Sequence, residues 1–355
     1  MTKLKEHNNY KIKFIVLSVV FVVAFFASFM LGRYKIYPFE VIKIILNGIC
    51  DKLSYFTPSL KGAFYDSAIP TQAYTVVFNV RLPRIIAAVL IGAALSVSGA
   101  AYQGMFRNPM VSPDILGASG GAGFGAALAI LLGFGYAGVS ASSFCFGLVA
   151  VLAAFIMSKA GNGNSTLSLV LAGMMINSLF SSGTSFIKLI ADTQSQLPAI
   201  TYWLMGSLTS IKPGDTLFLF VTVLLGLMPI ILLSWRINLL TSGDDEARSM
   251  GVNVSALKIV IIICATFMTA ACVSVSGMIG WVGLVIPHFC RRLFGYDYKR
   301  IIPGAILLGS SFLLITDDIA RVAVASEIPI GILTSFVGAP VFIYMIIGKG
   351  ERYEY

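Results

Sequence analysis

The sequence is poor in charge: only 12% of its residues are Asp, Glu, Lys or Arg, whereas 57% are hydrophobic. Soluble domains carry about 25% charged residues, and a helix needs about 20 mostly apolar residues to cross a bilayer. Several such runs occur, and no polar stretch is longer than the one that follows the first run. The composition excludes a soluble globular protein. It predicts an all-α, polytopic membrane protein with a single domain over residues 1–355.

Histidine and cysteine are also scarce. The two histidines, His7 and His288, poorly supply histidine-based catalysis or a histidine metal site. The five cysteines are scattered and form no C-x-x-C pair, which supports neither a disulfide framework nor a metal site. No G-x-x-x-x-G-K-[ST] motif occurs, so the chain is not expected to bind ATP through a P-loop. We therefore expect no catalytic residue, no metal and no other cofactor in this chain.

Apolar runs predict ten membrane-spanning helices. The first run is about 20 residues long, which exceeds the apolar region of a signal peptide, and no A-x-A-like site closes it, so we expect a retained span. The eighth span is short and contains Pro287. The approximate bounds are 13–32, 83–105, 115–135, 138–158, 165–187, 214–234, 257–276, 279–294, 301–320 and 329–348.

Lysine and arginine alternate between dense and sparse loops. If the N-terminus is inside, the outer loops after the first one hold only three of these residues, whereas the inner segments hold most of the others. The positive-inside rule then places both termini in the cytoplasm. It also accounts for the formal charge of +9 without nucleic-acid binding. The first outer segment, about 33–80, breaks the rule, so either its length excuses it or some of its charges act outside.

One loop is unusually acidic. The run TSGDDEARSMGVNV, residues 241–254, lies within a cytoplasmic region of about 236–256. Ser242 followed by Asp245 resembles a capping box, acids in the first turn suit the helix dipole, and Gly251 is placed to end the helix. The pattern predicts a short helix of about eight residues, roughly 12 Å long. An ordinary solvated loop helix and an element that docks a partner both fit it.

Two features suggest how the spans pack. Gly117, Gly121 and Gly125 fall four residues apart and would let neighbouring helices approach closely. SVSG occurs at 96–99 and again at 274–277, five spans apart, which predicts an inverted-repeat character.

The span 165–187 is rich in Ser and Thr and contains Asn177. That asparagine either bonds to a neighbouring helix or lines a solvated path.

Three arginines lie near predicted outer helix ends: Arg81 and Arg84 in RLPR, and Arg321. They either pair locally, for instance Arg321 with Asp317 or Asp318, or form a cationic patch that docks an acidic partner.

Several segments together resemble the FecCD-type (BtuC-like) permeases of ABC importers, which carry iron-siderophores, haem or cobalamin. The resemblance covers nearly everything after residue 80, and the motifs in this order are highly specific. The matching motifs include RLPR (81–84), RNPMVSPDILG (107–117), GDDEARSMGV (243–252), GLVIPH (283–288) and EIPIGILTSFVGAP (327–340).

The resemblance implies a bacterial or archaeal cell-membrane protein that pairs with a second copy of itself or with a paralogue. The translocation path would run between the two subunits. Two separate ABC ATPase subunits would bind ATP and magnesium, and an extracytoplasmic substrate-binding protein would deliver the metal chelate. We expect an Fe(III)-siderophore, with haem or cobalamin as alternatives, and no covalent chemistry in this chain.

The resemblance also implies roles for individual residues. The basic residues that would dock the binding protein are Arg81, Arg84 and Arg321. The gate and pathway residues would be Ser165, Thr166, Met175, Asn177 and Ser182. The segment that couples to the ATPase would comprise Gly243, Asp244, Asp245, Glu246, Ala247, Arg248 and Gly251. The spacing from Glu246 to Gly251 is one residue shorter than in the related E-A-A…G segment, so contacts of that segment do not transfer residue by residue.

An ion-coupled secondary transporter is the alternative from another class. Such proteins place acids or other ligands for the coupling ion near the membrane midplane. Here only Asp317 and Asp318 lie near a helix interior. A channel is the third possibility, but no ring-forming filter sequence occurs.

Overall fold

The computed structural model describes residues 2–54, 69–160, 166–324 and 326–347. Within these ranges the chain is helical and forms no strand. The helices are α1 (Thr2–Met30), α2 (Pro38–Leu53), α3 (Thr71–Thr75), α4 (Leu82–Phe106), α5 (Ala118–Leu131), α6 (Tyr136–Ala160), α7 (Thr166–Ile190), α8 (Gln196–Leu204), α9 (Pro213–Leu232), α10 (Ser234–Ser242), α11 (Asp244–Ser249), α12 (Val254–Ser276), α13 (Val282–Phe294), α14 (Tyr298–Val322) and α15 (Ile330–Ile347).

In the part of the chain that the structure describes, the all-α fold is confirmed, and each of the ten predicted spans coincides with a helix. In the described residues, seven helices are long and apolar enough to cross a membrane, and α5 and α15 are shorter apolar helices. The predicted eighth span is α13, which has 13 residues and contains Pro287. Apolar length does not predict α2, α8 or α10, because these helices are too short or too polar to resemble spans.

The second span is longer than its apolar run predicts. α3, a π-helical turn over Val76–Arg81 and α4 form one continuous helix of 36 residues. In the wide turn the Leu82 N–H donates to the Val77 carbonyl, five residues earlier. Such a turn accommodates Pro83, which has no N–H and crowds the preceding carbonyls. The RLPR motif therefore lies inside a helix, not at its outer end as its sequence position suggested.

The two copies of SVSG lie on α4 and at the C-terminal end of α12, the two most deeply buried of the long spans. The helices pack against each other, and the Tyr102 hydroxyl lies 3.1 Å from the Thr266 hydroxyl between them. Small residues allow other close approaches to α4. A Cβ at Gly99 would lie 1.8 Å from the Gly283 carbonyl oxygen, so only glycine fits where α4 meets α13.

Irregular backbone precedes both short helices: residues 107–112 and a short 3-10 helix over Pro113–Leu116 lead into α5, and residues 277–281 lead into α13. Backbone polar groups at membrane depth must find partners within the protein, because lipid offers none. The Gln103 amide on α4 supplies some of them: its Nε2 donates to the Val111 carbonyl at 3.1 Å and to the Leu284 carbonyl at 3.3 Å. Gln103 thus bridges the segment that leads into α5 and the first turn of α13.

The glycines of α5 pack as the sequence predicts. Cβ atoms at Gly121 and Gly125 would lie 2.4 Å from the Phe146 carbonyl oxygen and 2.6 Å from the Ser142 carbonyl oxygen, both on α6. The Ser142 hydroxyl also donates to the Gly125 carbonyl at 2.7 Å. Gly117 plays a different part, since its φ of +86° lets the chain turn into α5.

Candidate functional site

The acidic turn forms the short helix α11, but it begins differently from the prediction. Ser242 is the last residue of α10, and the N-cap of α11 is Gly243, with a φ of +142° and no side-chain cap. The predicted capping box of Ser242 and Asp245 is therefore wrong, because the preceding helix continues to Ser242. α11 has six residues instead of about eight. Gly251 ends the turn as predicted, with a φ of +81°.

One face of α11 is anchored and the other is open. Ala247 is fully buried, and its carbonyl accepts from the Val252 N–H at 3.0 Å. Asp245 and Arg248 point outward with side chains 90% and 57% exposed, and form an ion pair of 2.8 Å along the helix. An exposed pair of this kind contributes about 0–1 kcal/mol to stability. The outer face is thus available to a partner without a large effect on the fold.

Asp244 ties the start of α11 to two spans through Lys258 on α12. The Lys258 ammonium lies 2.6 Å from the Asp244 carboxylate and 3.4 Å from the Thr166 hydroxyl, at the first turn of α7. Thr166 is one of the two predicted gate residues; the other, Ser165, lies outside the described residues. The predicted coupling and gate segments therefore meet at one lysine.

A cavity of about 310 Å³ adjoins this junction, between α4, α6, α7, α11 and α12. Its charged and hydroxyl lining comprises Ser158, Lys159, Thr166, Asp244, Arg248, Ser255 and Lys258.

The predicted pathway residues of α7 lie on two different faces. Met175 and Ser182 are exposed, and their spacing of seven residues is close to two turns, so they share a face. Asn177 is half-buried and turned toward α5: a Cβ at Gly120 would lie 2.1 Å from its Oδ1 atom. The structure brings Met175 and Ser182 together and separates Asn177 from them. The position of Asn177 agrees with the first of the two alternatives given above, contact with a neighbouring helix.

The three arginines predicted to dock a partner are buried, and two of them, Arg84 and Arg321, pair with acids of α14 and of the loop that follows it. Arg84 donates from Nε to both carboxylate oxygens of Asp317, at 2.9 and 3.0 Å, and from Nη1 to Glu327 at 2.9 Å. Arg321 pairs with Asp318, and its Nε lies 3.3 Å from Asp317, an ionic contact without hydrogen-bond alignment.

α1 and the segment that follows it complete this network. The Ser28 hydroxyl donates to Asp318 at 2.7 Å, and Arg81 donates to the carbonyls of Phe29 and Tyr34.

This geometry corrects the expectation of an open docking patch at these positions. Arg81, Arg84 and Arg321 are only 3%, 6% and 6% exposed, so they cannot present their charges to a partner across solvent. Local pairing, the alternative left open by the sequence, describes their contacts. The network instead joins α1, α4, α14 and the loop before α15. A docking role for the face around them stays a prediction.

Three side chains of these sites escape prediction from the sequence: Gln103, Lys258 and Glu327. Gln103 is a lone amide inside an apolar run, and that isolation is a usable signal. Glu327 stands in the motif EIPIG, two residues before Pro329, and has a φ of +47°, which is unusual for a non-glycine residue. Lys258 resembles an ordinary basic residue at the inner end of a span, so its sequence context gives no signal.

Comparison with known proteins agrees with this architecture. The profile of the FecCD transport family matches residues 20–348. MolB, the molybdate import permease of Haemophilus influenzae, is 42% identical over 267 residues, which cover 75% of this chain and 79% of MolB. A Helicobacter pylori permease assigned to iron chelatin transport is 40% identical over 81% of this chain and 87% of its own. A solved inward-facing ABC transporter, assigned to the metal-chelate type, has a similar structure, with a TM-score of 0.81 and 36% sequence identity. The alignment covers 94% of this chain and 98% of the chain of that transporter.

Proposed function

This chain belongs to the FecCD transport family, and on that premise we propose that it carries an Fe(III)-siderophore as the permease subunit of an ATP-driven importer. Its relatives are ABC permeases for chelates and related substrates, which are transport components and not enzymes. The proposed complex contains two copies of the permease, two ATPase subunits at the cytoplasmic end and a substrate-binding protein outside. Haem and cobalamin are the alternative chelates.

The lining of α7 supports a bulky chelate over a small oxyanion such as the molybdate carried by MolB. Between Thr166 and Ile187 the helix contains no charged residue, and its exposed face presents Met175 and Ser182. Pores for small anions use rings of Arg or Lys to compensate the charge. A neutral, weakly binding lining suits a large complex whose metal charge its own ligand already shields. This lining is the observation that carries the choice of cargo.

The test is uptake into proteoliposomes that contain the permease, its ATPase and its binding protein. Radiolabelled iron as a ferric hydroxamate should accumulate only with ATP inside the compartment that holds the ATPase, and not with an ATPase variant that binds but does not hydrolyse ATP. Haem, cobalamin and molybdate, supplied in parallel, should accumulate far less. If one of these compounds accumulates faster than the ferric hydroxamate, it replaces the Fe(III)-siderophore as the proposed cargo. Uptake driven by an ion gradient without the ATPase would overturn the importer itself.

We place the second copy of the permease against α7 and α15. Both helices expose large apolar side chains within the described residues: Leu179 on α7 is 66% exposed, and Phe336 on α15 is 73% exposed. A groove of about 670 Å³ lies beside Phe336, lined also by Leu204 and Met278. In a membrane-spanning chain, lipid or a second subunit covers such side chains, and the groove beside Phe336 provides a recess that a second subunit would fill. A dimer through these helices would also enclose the exposed face of Met175 and Ser182.

For docking of the binding protein, the exposed cations Arg33 and Lys35 are better placed than the buried arginines. Arg33 lies against the network, 3.4 Å from the Val324 carbonyl. Reversing both charges, Arg33→Glu with Lys35→Glu, should weaken binding-protein affinity by roughly tenfold at low salt, because each exposed ion pair contributes up to about 1 kcal/mol. Surface plasmon resonance on the reconstituted permease measures it, and the loss should shrink as salt rises.

Lys299→Glu, an exposed charge reversal at the opposite end of the bundle, is the matched control and should leave the affinity unchanged. Equal affinities of the double variant and the wild type at low salt would exclude this segment from docking.

A further inference from the structure

The cavity at the junction of α11 and Lys258 lies next to an apolar groove. The groove has a volume of about 360 Å³ and runs between α6 and α12. Phe155, Ile259 and Ile262 line both the cavity and the groove. Leu152 and Ile263, which line the groove, are 58% and 60% exposed, so it lies at the surface of the chain. The cavity and the groove thus lie side by side, and together we call them the crevice, with the cavity as its polar end and the groove as its apolar end.

The polar end of the crevice is cationic. Three cations and one carboxylate line it: Lys159, Arg248, Lys258 and Asp244. Lys258 is paired with Asp244, and Arg248 is paired with Asp245. Lys159 lies 4.7 Å from the centre of the Phe155 ring and, among the described residues, forms no ion pair with a carboxylate. An anion in the cavity would therefore meet one cation without an acidic partner, Lys159. It could also contact Lys258 and Arg248 while these remain paired with their carboxylates.

We propose that this crevice binds an anionic phospholipid, with its phosphate in the cationic cavity and an acyl chain in the groove between α6 and α12. Basic pockets between membrane helices on the cytoplasmic side suit anionic headgroups, and the adjoining groove provides apolar surface for a chain that a free phosphate lacks. The placement at the inner leaflet rests on the orientation proposed above.

The site would connect the bilayer to the coupling segment. Arg248 and Asp244 belong to α11, and Thr166 begins α7, so a headgroup in the cavity touches both the surface proposed for the ATPase and the helix proposed for the pathway. A lipid bound there would stabilise one arrangement of α11 relative to α7, because a ligand favours the state it binds more tightly.

Native mass spectrometry of the full-length permease in detergent tests the binding directly. Phosphatidylglycerol and phosphatidylcholine with identical acyl chains are titrated against the wild type, Lys159→Gln and the groove-filling variant Ile263→Trp. We expect the wild type to prefer phosphatidylglycerol. Lys159→Gln should weaken its binding about fivefold, the factor that corresponds to ~1 kcal/mol per cation near an anionic lipid. Ile263→Trp should weaken binding of both lipids at this site.

The matched control is Lys188→Gln, which also removes one positive charge but lies in the last turn of α7, at the end of that helix away from the cavity. The affinity of this variant for phosphatidylglycerol should equal that of the wild type. Equal retention of both lipids by the wild type would overturn the proposal. So would competition by inorganic phosphate or glycerol phosphate at the concentration of the lipid, which would assign the cavity to a free anion. A cross-link between two permease copies through Leu152→Cys would put a second subunit in the groove and overturn it too. The assay needs no ATPase and no cargo, so its outcome is independent of the transport function proposed above.

Discussion

Replacement of Asp317 by asparagine is expected to destabilise the permease by about 3–5 kcal/mol, the cost of leaving buried charge uncompensated. The Asp317 carboxylate lies within 3.0 Å of Arg84 and 3.3 Å of Arg321, and all three side chains are at most 7% exposed. Asparagine keeps the volume but leaves both guanidinium groups with less negative charge. A lower thermal midpoint and loss of monodispersity in detergent would measure the effect.

The control for this prediction is Asp245→Asn, which removes the same charge from an exposed pair. Its side chain is 90% exposed, and the expected change is within about 1 kcal/mol. A second variant, Arg84→Met with Asp317→Leu, should recover much of the lost stability, because well-packed apolar residues can replace a buried ion pair. An unchanged midpoint for Asp317→Asn would mean that this carboxylate is not needed to balance the arginines.

This network shows where prediction from the sequence ends. The spans are predictable because each is a local apolar run, and all ten coincide with helices. The partners of Arg84 are not local: Asp317 and Glu327 follow it by 233 and 243 residues. From the sequence, the arginines could either pair locally or dock a partner. Only the packing of α4 against α14 shows that their side chains are buried.

A local sequence pattern can also be misleading when a neighbouring helix extends beyond the residues that predict it. Ser242 has the residue type and spacing of an N-cap, yet α10 continues through it, and Gly243 begins α11 instead. In the same way Pro83 suggests a helix end, whereas a π-helical turn before it lets the helix start at Thr71. In both places the chain makes a compact adjustment that residue propensities do not encode.

The pathway face of α7 is an intermediate case. Helical periodicity alone, once the span is placed, puts Met175 and Ser182 on one side and Asn177 on the other. Which side faces the path depends on the packing against α5, where the Asn177 amide meets Gly120. The sequence thus predicts the grouping of the residues but not the direction in which each group points.

Reversal of both charges on the open face of α11, Asp245→Lys with Arg248→Asp, is expected to abolish substrate-stimulated ATP hydrolysis in the assembled importer. The pair is exposed and lies along one helix, so swapping its members preserves the mutual attraction and leaves the fold intact. What changes is the charge pattern offered to the ATPase, and like charges brought together at an interface cost several kcal/mol. Co-purification of the ATPase and its hydrolysis rate with the loaded binding protein measure the loss.

The anchor pair on the other face provides the matched comparison. Asp244→Lys alone should impair coupling, because it places two cations where a pair of 2.6 Å holds α11 to α12. The exchange Asp244→Lys with Lys258→Asp restores that attraction inside one chain and should recover ATP hydrolysis in large part. If exchanging Asp244 with Lys258 restores ATP hydrolysis but exchanging Asp245 with Arg248 abolishes it, then Asp245 and Arg248 contact the ATPase. Asp244 then serves to hold α11 in place. If the open-face swap retains full stimulated hydrolysis, then α11 does not couple through these charges, and the turn is only a solvated loop.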